Sequence, residues 1–243
     1  MRILSIGNSF SQDAQRYLHE IAEVNGEKLK CVNLHIGGCS LRQHYLNMLD
    51  NEAKYLFEFN GSATGIYVSI KDALKSDNWD VVTLQQASHE SFSFDSYTPY
   101  LENIFDYIKK YSPKSKIYIH KTWAYPDNRQ RLFDMGYQST EAMFKDVNEA
   151  YKKACDIINA DGIIPSGDAM LEAYIANPDI VYRDPIHASL GFGRYLLGLV
   201  WFFRLFGRKE NFKHIENFSE PVSPENKITA YKIACAVNTR EGY

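Results

Sequence analysis

The run Arg2-Ile3-Leu4-Ser5-Ile6 passes into Gly7-Asn8-Ser9-Phe10-Ser11, and the reading of this junction decides the fold. A short apolar run stopped by a glycine reads as a buried strand. Ala14, Leu18, Ile21 and Ala22 then recur at helical spacing, and Gly26 ends that helix. The same order repeats along the chain. Residues 29–36 form a second strand stopped by Gly37-Gly38, followed by a helix over about 41–51. Asp80-Val81-Val82-Thr83-Leu84 is the clearest central strand. A helix over 99–111, a strand over 116–121 and a long helix over 138–159 follow. Gly162-Ile163-Ile164-Pro165 is a short fifth strand, with a helix near 169–175 behind it. Residues 190–206 make the last core helix, closed by Gly207 in the C′ role. Ser223-Pro224-Glu225 opens a terminal helix with an N-cap, a proline at N1 and an acid in the first turn. Segments 54–59 and 65–68 flank Asn60-Gly61-Ser62 and read as an inserted hairpin.

Strands alternating with helices imply a parallel sheet covered on both faces. Right-handed crossovers then give an α/β three-layer sandwich around about five parallel strands. With no linker, repeat or low-complexity tract, residues 1–243 read as a single domain. Ligands in such sheets bind beyond the carboxyl ends of the strands. The places to search are therefore the residues after Ile6, Ile36, Leu84 and Lys121.

Composition removes several function classes. Net charge is −3 and the basic residues are scattered, so no basic face for nucleic acid is evident. Cys31, Cys39, Cys155 and Cys235 are widely spread with no CxxC pair, which argues against a zinc or dithiol site. The most apolar stretch, 195–206, is interrupted by Arg204 and is too short for a bilayer, which takes about 20 residues. The start of the chain lacks the pattern of a signal peptide, so a cytoplasmic location is the default expectation.

Ser9 lies at a strand end with a helix following. Its hydroxyl projects above the sheet edge, and its backbone N–H can face a developing oxyanion. An alternative assignment makes it a helix N-cap, since Ser9-Phe10-Ser11-Gln12 matches a capping box. The GxSxG elbow is absent, because the second glycine is missing. The second element is Tyr182-Arg183-Asp184-Pro185-Ile186-His187-Ala188-Ser189. Pro185 disfavours the α region for Asp184. A tight D-x-x-H turn can bring the carboxylate to the imidazole Nδ1–H, which leaves Nε2 as a base. Alternatively, this is an exposed turn that caps the next helix. The strand-end serine and the D-x-x-H turn together are far more specific than either alone.

These blocks resemble the SGNH, or GDSL-type, hydrolases. Gly7-Asn8-Ser9-Phe10 matches the family's G-[DN]-S-[LFI] block, Gly37-Gly38 its glycine after the second strand, and Asp184-Pro185-Ile186-His187 its D-x-x-H block. The resemblance implies a flavodoxin-like fold and hydrolysis of esters, among them acetylated sugars, phospholipids and aryl esters. It implies Ser9 as nucleophile, His187 as base, Asp184 as its orienting acid, and the N–H groups of Ser9 and Gly38 as oxyanion donors. It requires no cofactor and no metal, only a small-molecule ester. One departure stands out. The family's usual G-x-N-D after the central strand is replaced by Gln85-Gln86-Ala87-Ser88-His89-Glu90. Gln85, at the strand end, carries the amide that the missing asparagine would supply, unless it only ties down a neighbouring loop; Gln86 and His89 are the alternative donors. A glutamine-rich third block is similar to the carbohydrate acetylesterase branches, which favours acetyl esters.

Trp123 and Tyr125 follow the fourth main strand, where they either wall a substrate pocket suited to short acyl groups or pack the loop. His35 and His120 lie within strands and read as structural. Asn8, where the family often has Asp, fits a role in fixing the loop through side-chain hydrogen bonds. Cys39 has no evident base as a nucleophile. A lipase or arylesterase with another acyl preference, and a non-catalytic binding module on the same fold, are the competing functions. A nucleotide- or flavin-binding protein would need a glycine-rich loop after the first strand, and there is one glycine there.

Overall fold

The computed structural model of the chain describes residues 1–240. In chain order the elements are β1 (Arg2–Gly7), α1 (Ser9–Gln15), α2 (Leu18–Val24), β2 (Lys30–His35), α3 (Leu41–Asp50), β3 (Tyr55–Phe59), β4 (Ser62–Val68), α4 (Ile70–Lys75) and β5 (Val81–Leu84). They continue with α5 (Tyr100–Tyr111), β6 (Lys116–His120), α6 (Gln130–Asp134), α7 (Thr140–Ile157), β7 (Gly162–Ile164), α8 (Ser166–Ala176), α9 (Phe192–Phe206) and α10 (Pro224–Arg240). Short 3₁₀ turns cover Phe94–Ser96 and Pro178–Ile180.

One seven-stranded sheet runs β4-β3-β2-β1-β5-β6-β7. The five strands from β2 to β7 are parallel, as the alternating pattern requires, and β3 and β4 add an antiparallel hairpin at one edge. Asn60 and Gly61 both have positive φ, 48° and 79°, which is the Asn-Gly type I′ turn that matches strand twist. The hairpin therefore widens the expected sheet of about five strands to seven. Helices α1, α2, α8, α9 and α10 pack together, and α3, α4 and α5 form a second group. The result is the three-layer α/β/α sandwich. No described helix is long and apolar enough to cross a membrane.

The first helix differs from the expectation. One helix ending at Gly26 is replaced by two short ones, with α1 starting at Ser9 and a break at Arg16-Tyr17. Tyr17 is fully buried, and its hydroxyl donates to the Leu190 carbonyl while accepting from the Ser219 N–H. The hairpin tip presses on the same break. A Cβ at Gly61 would lie 2.4 Å from the Arg16 carbonyl oxygen, so only glycine fits there. Ser223 caps α10 by accepting from the Asn226 N–H, as its sequence foretells. Helix α6 gave no clear sequence signal.

Register levels the carboxyl ends of the central strands. Gly7 on β1 sits opposite His35 on β2, and Ile6 opposite Leu84 on β5. The loops that follow these strands therefore meet above one sheet edge.

Candidate active site

Asn8, not Ser9, caps α1. The Asn8 Oδ1 accepts from the Phe10 N–H, and Ser11 Oγ accepts from the Asn8 N–H, so the reciprocal box is complete one residue earlier than the serine reading placed it. The close packing needs a glycine before it, because a Cβ on Gly7 would lie 2.1 Å from Ser11 Oγ. With the cap supplied by Asn8, the Ser9 hydroxyl is left for other work. It lies 3.0 Å from His187 Nε2. His187 Nδ1 lies 2.8 Å from Asp184 Oδ2. A carboxylate can only accept, so Nδ1 carries the hydrogen and Nε2 faces the Ser9 O–H as acceptor. Three residues named from sequence, two of them 178 positions apart from the third at most, thus form one hydrogen-bonded row.

Asp184 is fixed from both sides. Its Oδ1 accepts from the backbone N–H groups of Ile186 and His187, at 2.9 and 2.8 Å. Partial burial pushes its carboxyl up, but these two N–H groups and the imidazole outweigh burial and hold it below the usual carboxylate range. The carboxylate is therefore charged at neutral pH.

Gly37 and Gly38 face solvent, and Gly38 has φ +63°, a left-handed conformation suited to glycine. A side chain there would meet nothing within 4 Å, so the space above the Gly38 backbone is open. Among the described residues, no acceptor takes the N–H of Ser9 or of Gly38. Asn8 ties these two loops together, since its Nδ2 donates to the Cys39 carbonyl at 3.1 Å.

Gln85 does not stand where a direct oxyanion donor was expected. It is 2% exposed, and its Nε2 donates to Asn8 Oδ1 at 2.8 Å. Its Oε1 accepts from His120 Nδ1 at 2.6 Å. The direction of each bond follows from backbone groups. The Phe10 N–H and the Cys39 carbonyl fix the orientation of Asn8, which fixes Gln85, which requires hydrogen on His120 Nδ1. His120 Nε2 then accepts from Ser166 Oγ, which in turn receives the Trp201 indole N–H. Gln85 thus supports the loop that carries Ser9 from behind. Gln86 is also enclosed: it accepts from the Leu41 N–H and donates to Ser96. His89 faces Glu90 at 3.8 Å.

Trp123 and Tyr125 are both fully buried, so they pack the loop and do not wall an open pocket. Trp123 stacks on Phe10 at 4.1 Å and donates its indole N–H to the Ile186 carbonyl, which places it beneath the D-x-x-H turn. Tyr125 bonds Ser88. Their apolar rings gain more from burial than from an open edge. Cys39 is enclosed beside His44 and Tyr55, and burial pushes its thiol up to about 12, so no thiolate is available there. No cluster of three or more metal-ligating side chains occurs among the described residues.

Burial lowers both His44 and His120 from the ordinary 6.5 to about 3. Both rings are neutral in the folded protein down to that pH, whereas the unfolded chain takes up both protons near 6.5. The unfolded state thus binds more protons throughout the interval. Stability is fully present above about pH 6.5 and is lost as pH falls, at up to about 2.7 kcal/mol per pH unit while both rings titrate. Denaturant midpoints between pH 6.5 and 5, where carboxylates stay ionised, check this. Constant midpoints across that range would contradict the neutral buried pair.

Sequence reading missed Asp13, Arg183 and Arg194, which meet beside the row. Arg183 adjoins the D-x-x-H block and Asp13 lies one helical turn after Ser9, but nothing local in the sequence links them.

The family model for the domain of unknown function DUF4886 matches residues 2–232. A DUF4886 family protein from Bacteroides uniformis is 33% identical, over 98% of this chain and 94% of that one, with a TM-score of 0.90. A protein from Slackia heliotrinireducens put forward as an SGNH hydrolase is 24% identical, over 83% and 96%, at a TM-score of 0.59. A family 3 carbohydrate esterase from Clostridium thermocellum is 12% identical, over 83% and 93%, at a TM-score of 0.52. None of the curated proteins matches the sequence. The last two likenesses are of fold, whereas the first and the family model are of sequence along nearly the whole chain: the chain belongs to the DUF4886 family, built on the fold of the SGNH hydrolases.

Proposed function

We propose that this protein is a serine ester hydrolase that removes short acyl groups, acetyl above all, from a carbohydrate or similar small alcohol. The observation that carries the reading is the hydrogen-bonded row Ser9–His187–Asp184 at the carboxyl end of the sheet. Ser9 Oγ attacks the ester carbonyl as His187 Nε2 takes its proton. Asp184 holds the tautomer and stabilises the imidazolium. The N–H groups of Ser9 and Gly38 receive the oxyanion, and Gln85 acts on that pocket through Asn8. His187 returns the proton to the leaving alcohol. Water then attacks the acyl-enzyme by the same route in reverse. The chemistry needs no metal or organic cofactor.

The acyl preference rests on the openness of the site. Side-chain exposure is 22% at His187 and 39% at Asp184, and Gly37-Gly38 is exposed beside them. An open ledge suits a small acyl group on a bulky polar alcohol, whereas a long acyl chain needs an apolar channel to leave water. The family 3 carbohydrate esterase from Clostridium thermocellum shares this fold. The test is turnover of p-nitrophenyl acetate, butyrate and decanoate beside acetylated sugars, with labelling by a serine-reactive fluorophosphonate. The expected result is labelling at Ser9 and kcat/KM falling from acetate to decanoate. A rise with chain length would favour a lipase, and absence of both turnover and label would favour a binding module.

A further inference from the structure

Asp13 is a fully buried carboxylate that the reaction above does not use. It sits on α1 at i+4 from Ser9, hence on the same side of that helix. Its partners come from the far end of the chain. Arg183 Nη1 lies 3.0 and 2.9 Å from its two oxygens, and Arg194 Nε lies 2.8 Å from Oδ1.

Arg183 immediately precedes Asp184, and it closes the turn that carries both Asp184 and His187. Its backbone N–H donates to the His187 carbonyl at 3.1 Å, and its Nη1 donates to the Ala188 carbonyl. Tyr182 and Ala188 pair as an antiparallel bridge at the neck of the same turn. The turn is thus a closed unit gripped at one corner by Asp13. The helix that begins with the nucleophile is the helix that holds the acid–base turn.

We propose that Asp13 and Arg183 form a clamp that positions His187 over Ser9. The inference rests on the esterase reading for its kinetic consequence, though the geometry it concerns is independent of substrate. The Ser9–His187 bond is a single contact between partly buried side chains, and it cannot by itself hold two distant segments in register. A charge-assisted contact with a buried carboxylate, one helical turn from Ser9, can do so. Misplacement of a catalytic group by about 1 Å costs on the order of 10²-fold in rate.

Arg183→Ala is the variant to make. Asp13 keeps Arg194 as a charged partner in it, so the carboxylate is not stranded. The expected result is a loss of about 10²-fold in kcat with KM nearly unchanged. Arg183→Lys should fall between, because all three contacts are made by the single nitrogen Nη1, and a lysine Nζ keeps the charge but sits on a shorter stem that does not reach the same point. Added methylguanidine should restore part of the activity of Arg183→Ala, an effect that a role in stability alone would not produce. A second readout does not depend on turnover: the low-field proton resonance of the His187 Nδ1–H should shift or broaden in the variant. Parent-like kcat together with an unchanged resonance, measured well below the unfolding temperature, would overturn the clamp. If Arg183→Ala does not fold, Arg183→Lys carries the same two readouts with the same criteria. A parent protein that shows the resonance but hydrolyses no ester would sink the esterase reading, and the resonance of the variant would then decide the clamp.

Discussion

Ser9→Ala is expected to remove about six orders of magnitude from kcat on p-nitrophenyl acetate while the protein stays folded. The kinetic half of this expectation follows from the row itself. Ser9 Oγ is the group that His187 Nε2 faces, at 3.0 Å, and among the described residues no other hydroxyl bonds that nitrogen. Without it the imidazole has no nucleophile to activate, and only binding and the oxyanion donors remain. The stability half rests on the cap. An N-cap serine replaced by alanine costs about 1 kcal/mol. Here Asn8 is the cap and Ser11 completes the box, so the Ser9 side chain makes neither of those bonds. Ser9→Ala should therefore unfold at nearly the parent temperature, whereas Asn8→Ala should not. The measurement is kcat beside the thermal midpoint for both variants. Parent-like turnover by Ser9→Ala would remove the nucleophile from the proposal. A marked drop in its midpoint would mean that the serine holds the helix after all.

What the sequence made visible was local. The run Ile3-Leu4-Ser5-Ile6 before Gly7 announces a buried strand, and Val81-Val82-Thr83-Leu84 announces its neighbour, because apolar runs bounded by turn signals have few other uses. The D-x-x-H turn is legible because four consecutive residues contain both the carboxylate and the imidazole. Gln85 marks the limit of such reading. Its place at the strand end was legible, but the direction of its amide was not. That direction depends on Asn8, whose Oδ1 takes a second donor from across the sheet, and on His120 one strand further on. Trp123 and Tyr125 follow the same logic: sequence puts them at the right edge, while packing against Phe10 and the turn draws the Trp123 ring inside and a bond to Ser88 holds the buried Tyr125. Asp13 and Arg183 are 170 residues apart, and a pair of that kind leaves no periodicity or spacing to notice. The break at Arg16-Tyr17 likewise arises from contacts with the hairpin tip and with the segment before α9, which only the folded chain brings together.

Asp184→Asn is expected to lower kcat by about 10⁴ and to leave the fold nearly untouched. The substitution is almost isosteric, so the reason must lie in hydrogens. In the parent, Oδ1 accepts the N–H groups of Ile186 and His187, and Oδ2 accepts the His187 Nδ1–H. An asparagine has one oxygen and one NH₂ group. The two backbone N–H groups can be satisfied only by the oxygen, so the amide orients with Oδ1 toward them. Its NH₂ then faces His187 Nδ1. Two donors cannot meet there, and the imidazole must move its hydrogen to Nε2. That places an N–H against the Ser9 hydroxyl, and the base required to accept the Ser9 proton is gone. The geometry of the turn thus enforces the unproductive tautomer rather than merely permitting it. The backbone bonds of the turn persist, which is why the thermal midpoint should change little. Steady-state kinetics near neutral pH check the expectation, beside the Nδ1–H resonance, which should disappear. A variant that keeps kcat within tenfold of the parent would show that Asp184 neither selects the tautomer nor stabilises the imidazolium, and the acid of the row would have to be sought elsewhere.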